Sequence, residues 1–365
     1  MLGENGSARG ESLLDWNESP LGPPEAAVRR VIAAAQSLHR YPRGLMEEVT
    51  ALAADYLRVA PGQVLLCAGV DEAVDITLSL ADRGWGVHPG FDGYQDRVTA
   101  NGKPFHAVPL DADWQPAAGW DGLTNRDIVF LAQPNNPTGN LFDPGWIRSV
   151  RRAAGYLFID ETYQDFSARP SVLGGGVLDD GVADEGAQDG PGIFDPGYGG
   201  QLLVYRSFSK AMGLAGIRLG ALVADAELIA RLEPVRRFMP IDAVSLNAAA
   251  GVLEEPSFVK TLTDHVLKAR PGLTATLRES GLFDEVRDTH TNFVVAHLRE
   301  EVAASVLEAL AEDGVRVKPC DGLGLPGWLR ISVGSWDDQQ RLADCLTRVA
   351  GTADTAAVPT TPTTV

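Results

Sequence analysis

Ser207-Phe208-Ser209-Lys210-Ala211-Met212-Gly213-Leu214-Ala215-Gly216-Ile217-Arg218 follows closely on the apolar run Leu202-Leu203-Val204-Tyr205. A short run of that kind predicts a strand, so Lys210 is expected just beyond a strand's carboxyl end, where open α/β sheets place their ligands. An amine held there can form a Schiff base with an aldehyde. Ser207, Ser209 and Arg218 add two hydroxyl donors and one planar fork, a donor set that suits a dianionic phosphate. Taken alone, Lys210 reads better as an exposed lysine near a helix start.

Two more apolar runs end in polar residues, in an order this chemistry requires. Ile128-Val129-Phe130-Leu131-Ala132 leads into Gln133-Pro134-Asn135-Asn136-Pro137-Thr138-Gly139, and Tyr156-Leu157-Phe158-Ile159 leads into Asp160-Glu161-Thr162-Tyr163. With N-P-T-G, D-x-x-Y and S-x-S-K in this order, the chain from about 14 to 346 resembles the fold-type I aminotransferases that use pyridoxal phosphate. Within them it is most similar to the histidinol-phosphate aminotransferase-like branch.

The resemblance implies an α/β fold, with a mostly parallel seven-stranded sheet in an α/β/α sandwich and a second, small α+β domain. It implies pyridoxal 5'-phosphate as cofactor, with Lys210 as the Schiff-base lysine and the base that removes the Cα proton. Asp160 would pair with the ring nitrogen and keep it protonated, and Asn136 and Tyr163 would bond the phenolic oxygen. By the same resemblance Tyr94 is the ring that stacks on the cofactor, with Phe91 in place of the first tyrosine of a P-x-Y-x-x-Y element, or else Tyr94 is a core aromatic. Tyr41, in His39-Arg40-Tyr41-Pro42, would reach the cofactor phosphate of a neighbouring subunit in a homodimer, or is an interface or turn aromatic. Arg330, in Leu329-Arg330-Ile331-Ser332-Val333-Gly334, would hold the substrate's acidic group. Asn17, in the arm segment Asn17-Glu18-Ser19-Pro20-Leu21-Gly22, is either substrate-side or an Asx-turn.

Val64-Leu65-Leu66-Cys67-Ala68 predicts a strand, and Gly69-Val70-Asp71-Glu72-Ala73 opens a helix expected to run through Ala81. Free N–H groups at such a start attract an anion, so the amides after Gly69, of Val70 and Asp71, are assigned to the cofactor phosphate. A small hydroxyl residue usual after this glycine is replaced by Val70, which leaves Ser207, Ser209 and Arg218 to compensate. Lys318 stands where the histidinol-phosphate enzymes tend to carry another arginine, and Trp336 where a charged residue is common. Both departures weigh against histidinol phosphate itself as substrate.

Residues 1–37 read as an arm that joins the small domain, 38–244 as the cofactor-binding domain, 245–350 as the small domain and 351–365 as a disordered tail. Residues 171–200, rich in glycine and aspartate, read as an inserted loop that is a lid, an interface arm or disordered. A helix over 226–238 should be kinked or shortened by Pro234, and helices between 246 and 277 interrupted at Pro256 and Pro271. Residues 322–327 match G-x-G-x-x-G, but Pro326 lies inside the match and a strand follows, so a turn is expected and a dinucleotide site is not.

The chain of 365 residues carries a net charge of −18, which argues against a nucleic-acid or anionic-membrane partner. Cys67, Cys320 and Cys345 are isolated, so neither a disulfide framework nor a metal site is expected, and a reducing cytoplasm fits best. No secretory leader and no run of about 18 apolar residues is seen. The expected activity is transfer of an amino group between an amino acid or related amine and a 2-oxo acid. The same chemistry could instead end in β-elimination from a thioether amino acid, decarboxylation or oxidative deamination.

Overall fold

The computed structural model describes residues 10–117, 119–174 and 200–356, so most of the inserted segment at 171–200 lies outside the described residues. The chain begins with β1 (Ser12–Leu14), α1 (Glu25–Ala34) and α2 (Leu45–Leu57). There follow β2 (Val64–Cys67), α3 (Gly69–Thr77), β3 (Arg83–His88), α4 (Asp92–Ala100), β4 (Phe105–Pro109), β5 (Asp127–Ala132), α5 (Pro144–Ala153) and β6 (Tyr156–Asp160). Next come β7 (Gln201–Ser207), β8 (Gly220–Ala224), α6 (Ala226–Leu232), α7 (Ala243–Glu254) and α8 (Ser257–Glu279). The last part comprises β9 (Phe283–Arg287), β10 (Phe293–Leu298), α9 (Ala303–Glu312), β11 (Val315–Pro319), β12 (Trp328–Ser332) and α10 (Trp336–Ala356).

Seven strands form one sheet in the order β2-β8-β7-β6-β5-β3-β4, and only β8 runs against its neighbours. Successive side chains of a strand point to opposite faces, so a sheet covered on both sides needs continuous apolar strands. This is what β5 to β7 provide. Ile128, Phe130, Phe158, Leu203 and Tyr205 pack on one face with Val74 and Val98, from α3 and α4. Val129, Leu131, Leu157, Ile159 and Val204 pack on the other with Ile147 and Leu246, from α5 and α7. The result is an α/β/α sandwich.

A second sheet of five strands has the order β1-β11-β12-β10-β9. Here β1 lies parallel to β11, with Ser12 opposite Val315 and Leu14 opposite Val317. The arm is thereby fixed to strands formed about 300 residues later in the chain.

Several boundaries differ from expectation. Helix α3 stops at Thr77 and finishes in a 3-10 turn, Leu78–Leu80. Helix α6 ends at Leu232, and Pro234 sits in the 3-10 turn Glu233–Val235, as its missing N–H requires. Helix α8 runs unbroken through Pro271, because Leu267, four residues earlier, lies on an exposed side where water can satisfy its carbonyl. The tail expected to be disordered from 351 onward begins as the end of α10, which continues to Ala356, since extending a formed helix costs far less than nucleating one. Residues 322–327 form the turn between β11 and β12, with the Cys320 N–H donating to the Trp328 carbonyl at 2.8 Å.

Behind the sheet's carboxyl edge lies a buried ion-pair network. The Arg206 guanidinium donates to Glu161 at 3.2 Å and to both oxygens of Asp165 at 2.8 and 2.9 Å. Glu161 also accepts the Val172 N–H at 2.7 Å and the Ser171 hydroxyl at 2.5 Å. Removing one partner of a buried pair strands the other charge, so Arg206→Ala should lose about 3–5 kcal/mol of stability in urea denaturation.

Candidate active site

The carboxyl ends of β5, β6 and β7 open into a cavity of about 570 Å³, closed from above by the arm and by β11 and β12. Ala132, Asp160, Tyr163, Ser207, Ser209, Lys210 and Arg218 come to it from the large sheet and its loops. Asp15, Trp16, Asn17 and Glu18 come from the arm, and Lys318 and Arg330 from the small sheet.

Asp160 ends β6 at the cavity floor, 5% exposed. It accepts the Tyr94 hydroxyl at 2.8 Å, the Thr162 N–H at 2.9 Å and the Thr162 hydroxyl at 2.6 Å. Burial raises its pKa above the ordinary carboxylate value, although those donors oppose the shift. Lys210 follows β7, and its Nζ donates to the Trp16 carbonyl at 2.7 Å. Burial, then the nearby Arg330 and Arg218 charges, lower its pKa to about 8. An amine so placed is readily available as a base near neutral pH.

Where α3 begins, no side chain caps the helix. Gly69 there has φ +81°, and a Cβ on it would stand 3.0 Å from Arg218 Nη2, so the glycine leaves room for the guanidinium. Arg218 Nη1 is 3.4 Å from Ser209 Oγ, and Ser207 Oγ accepts the Ser209 N–H at 3.1 Å. Arg218 Nη2 lies 3.8 Å from Asp71. Val70 lines the cavity beside them.

On the opposite wall Arg330 Nη1 donates to Asn136 Oδ1 at 2.6 Å and Nη2 to the Asp15 carbonyl at 2.8 Å. Its guanidinium lies 5.4 Å from the Phe293 ring centre, and its Nε is buried without a partner among the described residues. Lys318 pairs with Arg330 across β11 and β12, so two cations stand side by side. Tyr163 is buried, and its hydroxyl accepts from Asn17 Nδ2 at 2.9 Å. Burial raises the Tyr163 pKa, opposed by the Arg330 charge and by that hydrogen bond.

Lys210, Asp160, Asn136, Tyr163, Ser207, Ser209, Arg218, Arg330, Lys318 and Asn17 thus meet in one place. Tyr94 does not line the cavity. It is buried beneath, stacked on Phe130 with ring centres 5.5 Å apart, and its hydroxyl is turned to Asp160. Phe91 lines the cavity instead, as the aromatic that begins the Phe91-Asp92-Gly93-Tyr94 stretch. The cause is helical geometry: α4 starts at Asp92, so Tyr94 turns inward to the sheet while Phe91 stays at the rim. Tyr41 is 69% exposed and contributes nothing to the cavity of its own chain, and Trp336 packs edge-on against His265 away from it. Sequence reasoning missed Thr162, whose place two residues after Asp160 is an Asx-type signal, and the backbone carbonyls of Asp15 and Trp16, which carry no signal at all.

The family profile described as aminotransferase class I and II matches residues 10–346. The chain belongs to this family. Similar curated proteins include histidinol-phosphate aminotransferase 2 of Methylococcus capsulatus, 32% identical over 91% of this chain and 88% of that one. The histidinol-phosphate aminotransferase of Symbiobacterium thermophilum is 28% identical over 93% of this chain and 90% of its own. In fold, the chain is similar to histidinol-phosphate aminotransferase from Sinorhizobium meliloti, solved in complex with pyridoxal-5'-phosphate, with a TM-score of 0.75 at 21% identity over 94% and 91% of the two chains.

This aminotransferase uses pyridoxal 5'-phosphate, and its cavity suits the group. The uncapped start of α3 with Ser207, Ser209 and Arg218 offers donors for a phosphate. Among the described residues Asp160 has hydroxyl and amide donors but no cationic hydrogen-bond partner, which leaves it free to meet a protonated ring nitrogen.

The lowered Lys210 pKa gives a stability test for the cofactor-free aminotransferase. Between about 8 in the folded chain and the ordinary 10.5, the unfolded chain binds the extra proton, so the folded state gains stability as pH rises through that window. Lys210→Met has no such proton. The wild-type stability minus that of the variant, from urea denaturation, should therefore climb across this window; a flat difference would mean that the lysine is not desolvated.

Proposed function

We propose that this aminotransferase moves the amino group of an anionic primary amine of the histidinol-phosphate type to a 2-oxo acid, with Lys210 as the proton carrier. The observation that supports this most is the cavity itself, where a lysine with its pKa lowered to about 8 shares one space with Asp160 below and with Arg330 and Lys318 above. Curated relatives matched over nine-tenths of the chain are, by name, histidinol-phosphate aminotransferases.

Ser207, Ser209, Arg218 and the Val70 and Asp71 amides would hold the cofactor phosphate. Phe91, in place of Tyr94, would cover the ring, and Asp160 would keep its nitrogen protonated. Asn136 and Tyr163 would bond its phenolic oxygen. When bound, the cofactor supplies an electron sink that lets a Cα proton leave. Lys210 Nζ takes that proton and returns it, and the neighbouring Arg330 and Arg218 charges keep the amine ready to accept it. Arg330 orients the substrate's acidic group, exchanging its bond to the Asp15 carbonyl for one to the substrate, and Lys318 adds the second charge a phosphate needs. Closure by the arm excludes water and strengthens each of these contacts.

The enzyme acts as a homodimer in this reading. Ile32, Leu38 and Tyr41, 68%, 55% and 69% exposed within ten residues of one another, supply an apolar surface, and Tyr41 would reach the partner's phosphate site. The arm and the small sheet would shift together as one domain over the large one. A cytoplasmic location fits three free, buried cysteines, and no helix among the described residues is long and apolar enough to cross a membrane.

The visible spectrum of the holoenzyme tests the reaction. Histidinol phosphate, added without oxo acid, should convert the lysine-bound cofactor band to the pyridoxamine form, and a 2-oxo acid should restore it. Ammonia release with the original band regenerated would overturn the proposal. Arg330→Ala should raise KM for the donor about 10- to 100-fold, the cost of a charge-assisted hydrogen bond.

A further inference from the structure

Four buried polar residues from three parts of the chain form a connected hydrogen-bond system beside the cavity. Asn17, 1% exposed, has φ +56°, in the left-handed region that asparagine tolerates. Its N–H donates to Ser332 Oγ at 2.9 Å, and the Ser332 hydroxyl donates back to Asn17 Oδ1 at 2.9 Å. With oxygen at this end of the Asn17 amide the buried Ser332 hydroxyl proton has an acceptor, which a flipped amide would deny it among the described residues. The amide nitrogen is left facing Tyr163 and donates to its hydroxyl at 2.9 Å. Asn292 Nδ2 donates to the Asn17 carbonyl at 3.0 Å and ties the same arm residue to the small sheet.

The consequence falls on the phenol. A tyrosine hydroxyl both donates and accepts, so its direction is undetermined until one role is filled. Asn17 can only donate through Nδ2, which makes the Tyr163 oxygen the acceptor on that side. Among the described residues the phenolic proton has no protein acceptor, and Tyr163 lines the cavity.

We propose that Asn17 and Ser332 are a positioning pair that commits the Tyr163 hydroxyl to donate into the cavity, toward the cofactor's phenolic oxygen. The pair acts through Tyr163 and touches no reacting atom. It also couples the arm and the small sheet to the cofactor, since Asn17 belongs to the first and Ser332 to the second. This rests on the function proposed above. A donor aimed at that oxygen stabilises its deprotonated form, so weakening it favours the protonated one and raises the pH at which the holoenzyme's lysine-bound band titrates.

The band's titration midpoint is the readout. Asn17→Gly removes the amide without straining the left-handed backbone, and should raise the midpoint by about 0.5 to 1 pH unit, the scale of one hydrogen bond. Ser332→Ala should shift it the same way, and Ser332→Thr, which keeps the hydroxyl, should restore it. Tyr163→Phe should raise the midpoint by itself, and Asn17→Gly added to Tyr163→Phe should add nothing further. The charges facing these groups, Arg330, Arg218 and Glu18 at Lys210 and Arg330 and Asp160 at Tyr163, are present in all variants. An unchanged midpoint in Asn17→Gly, or an equal shift with and without the phenol, would overturn the proposal. If Asn17→Gly fails to fold by circular dichroism, Ser332→Ala in both backgrounds decides it. A wild-type protein that shows no cofactor band would instead refute the function proposed above and not this pair alone.

Discussion

Asp160 lies at the carboxyl end of a strand in the middle of a parallel sheet, 5% exposed, and among the described residues no lysine or arginine donates to it. A buried carboxylate is costly unless something compensates it, and here Tyr94 and Thr162 offset only part of that cost. The rest of the site is arranged around this charge. Phe130 and Phe158 form the apolar wall that holds Tyr94, and Arg330 and Lys318 enter the cavity from the small sheet. Asp160 and the Arg330 and Lys318 pair thus come to the cavity from different sheets, which orients a bound group carrying charges of both signs.

That local pattern stands against the charge of the whole molecule. With a net charge of −18, the protein's overall field repels anions, so an anionic substrate depends on the short-range pull of Arg330 and Lys318. Buried ion pairs elsewhere serve a different end. The Glu161, Arg206 and Asp165 network follows Asp160 directly in the chain and fixes the backbone on which Asp160 and Tyr163 are carried.

The sheet and the groups at its strand ends were legible in the sequence because parallel strands buried on both faces must be apolar throughout, and polar residues that interrupt such runs stand out. Lys210, Asp160 and Asn136 stand out in this way, while their roles, and Arg330 altogether, come from the resemblance to known aminotransferases. What was not legible depends on direction in space. Phe91 and Tyr94 differ by three positions, and which one reaches the cavity depends on the residue at which α4 begins, a boundary that sequence fixes only loosely. The carbonyls of Asp15 and Trp16 bind Arg330 and Lys210 through groups that every residue possesses, so no residue type marks them. Pro271 was expected to break a helix that instead passes through it, because tertiary packing of Val266, Ala269 and Leu273 outweighs one lost backbone bond.

The arm strand pairs with β11, and Asn17 is bonded to Ser332, a partner 315 positions away. During synthesis the arm leaves the ribosome about 300 residues ahead of its partners, so the large sheet is translated before the roof of the cavity exists. The nascent chain can thus present the phosphate cradle and Lys210 while lacking Arg330 and the Asn17 tie to Ser332. The cavity gains its full set of side chains only when β11 and β12 have followed.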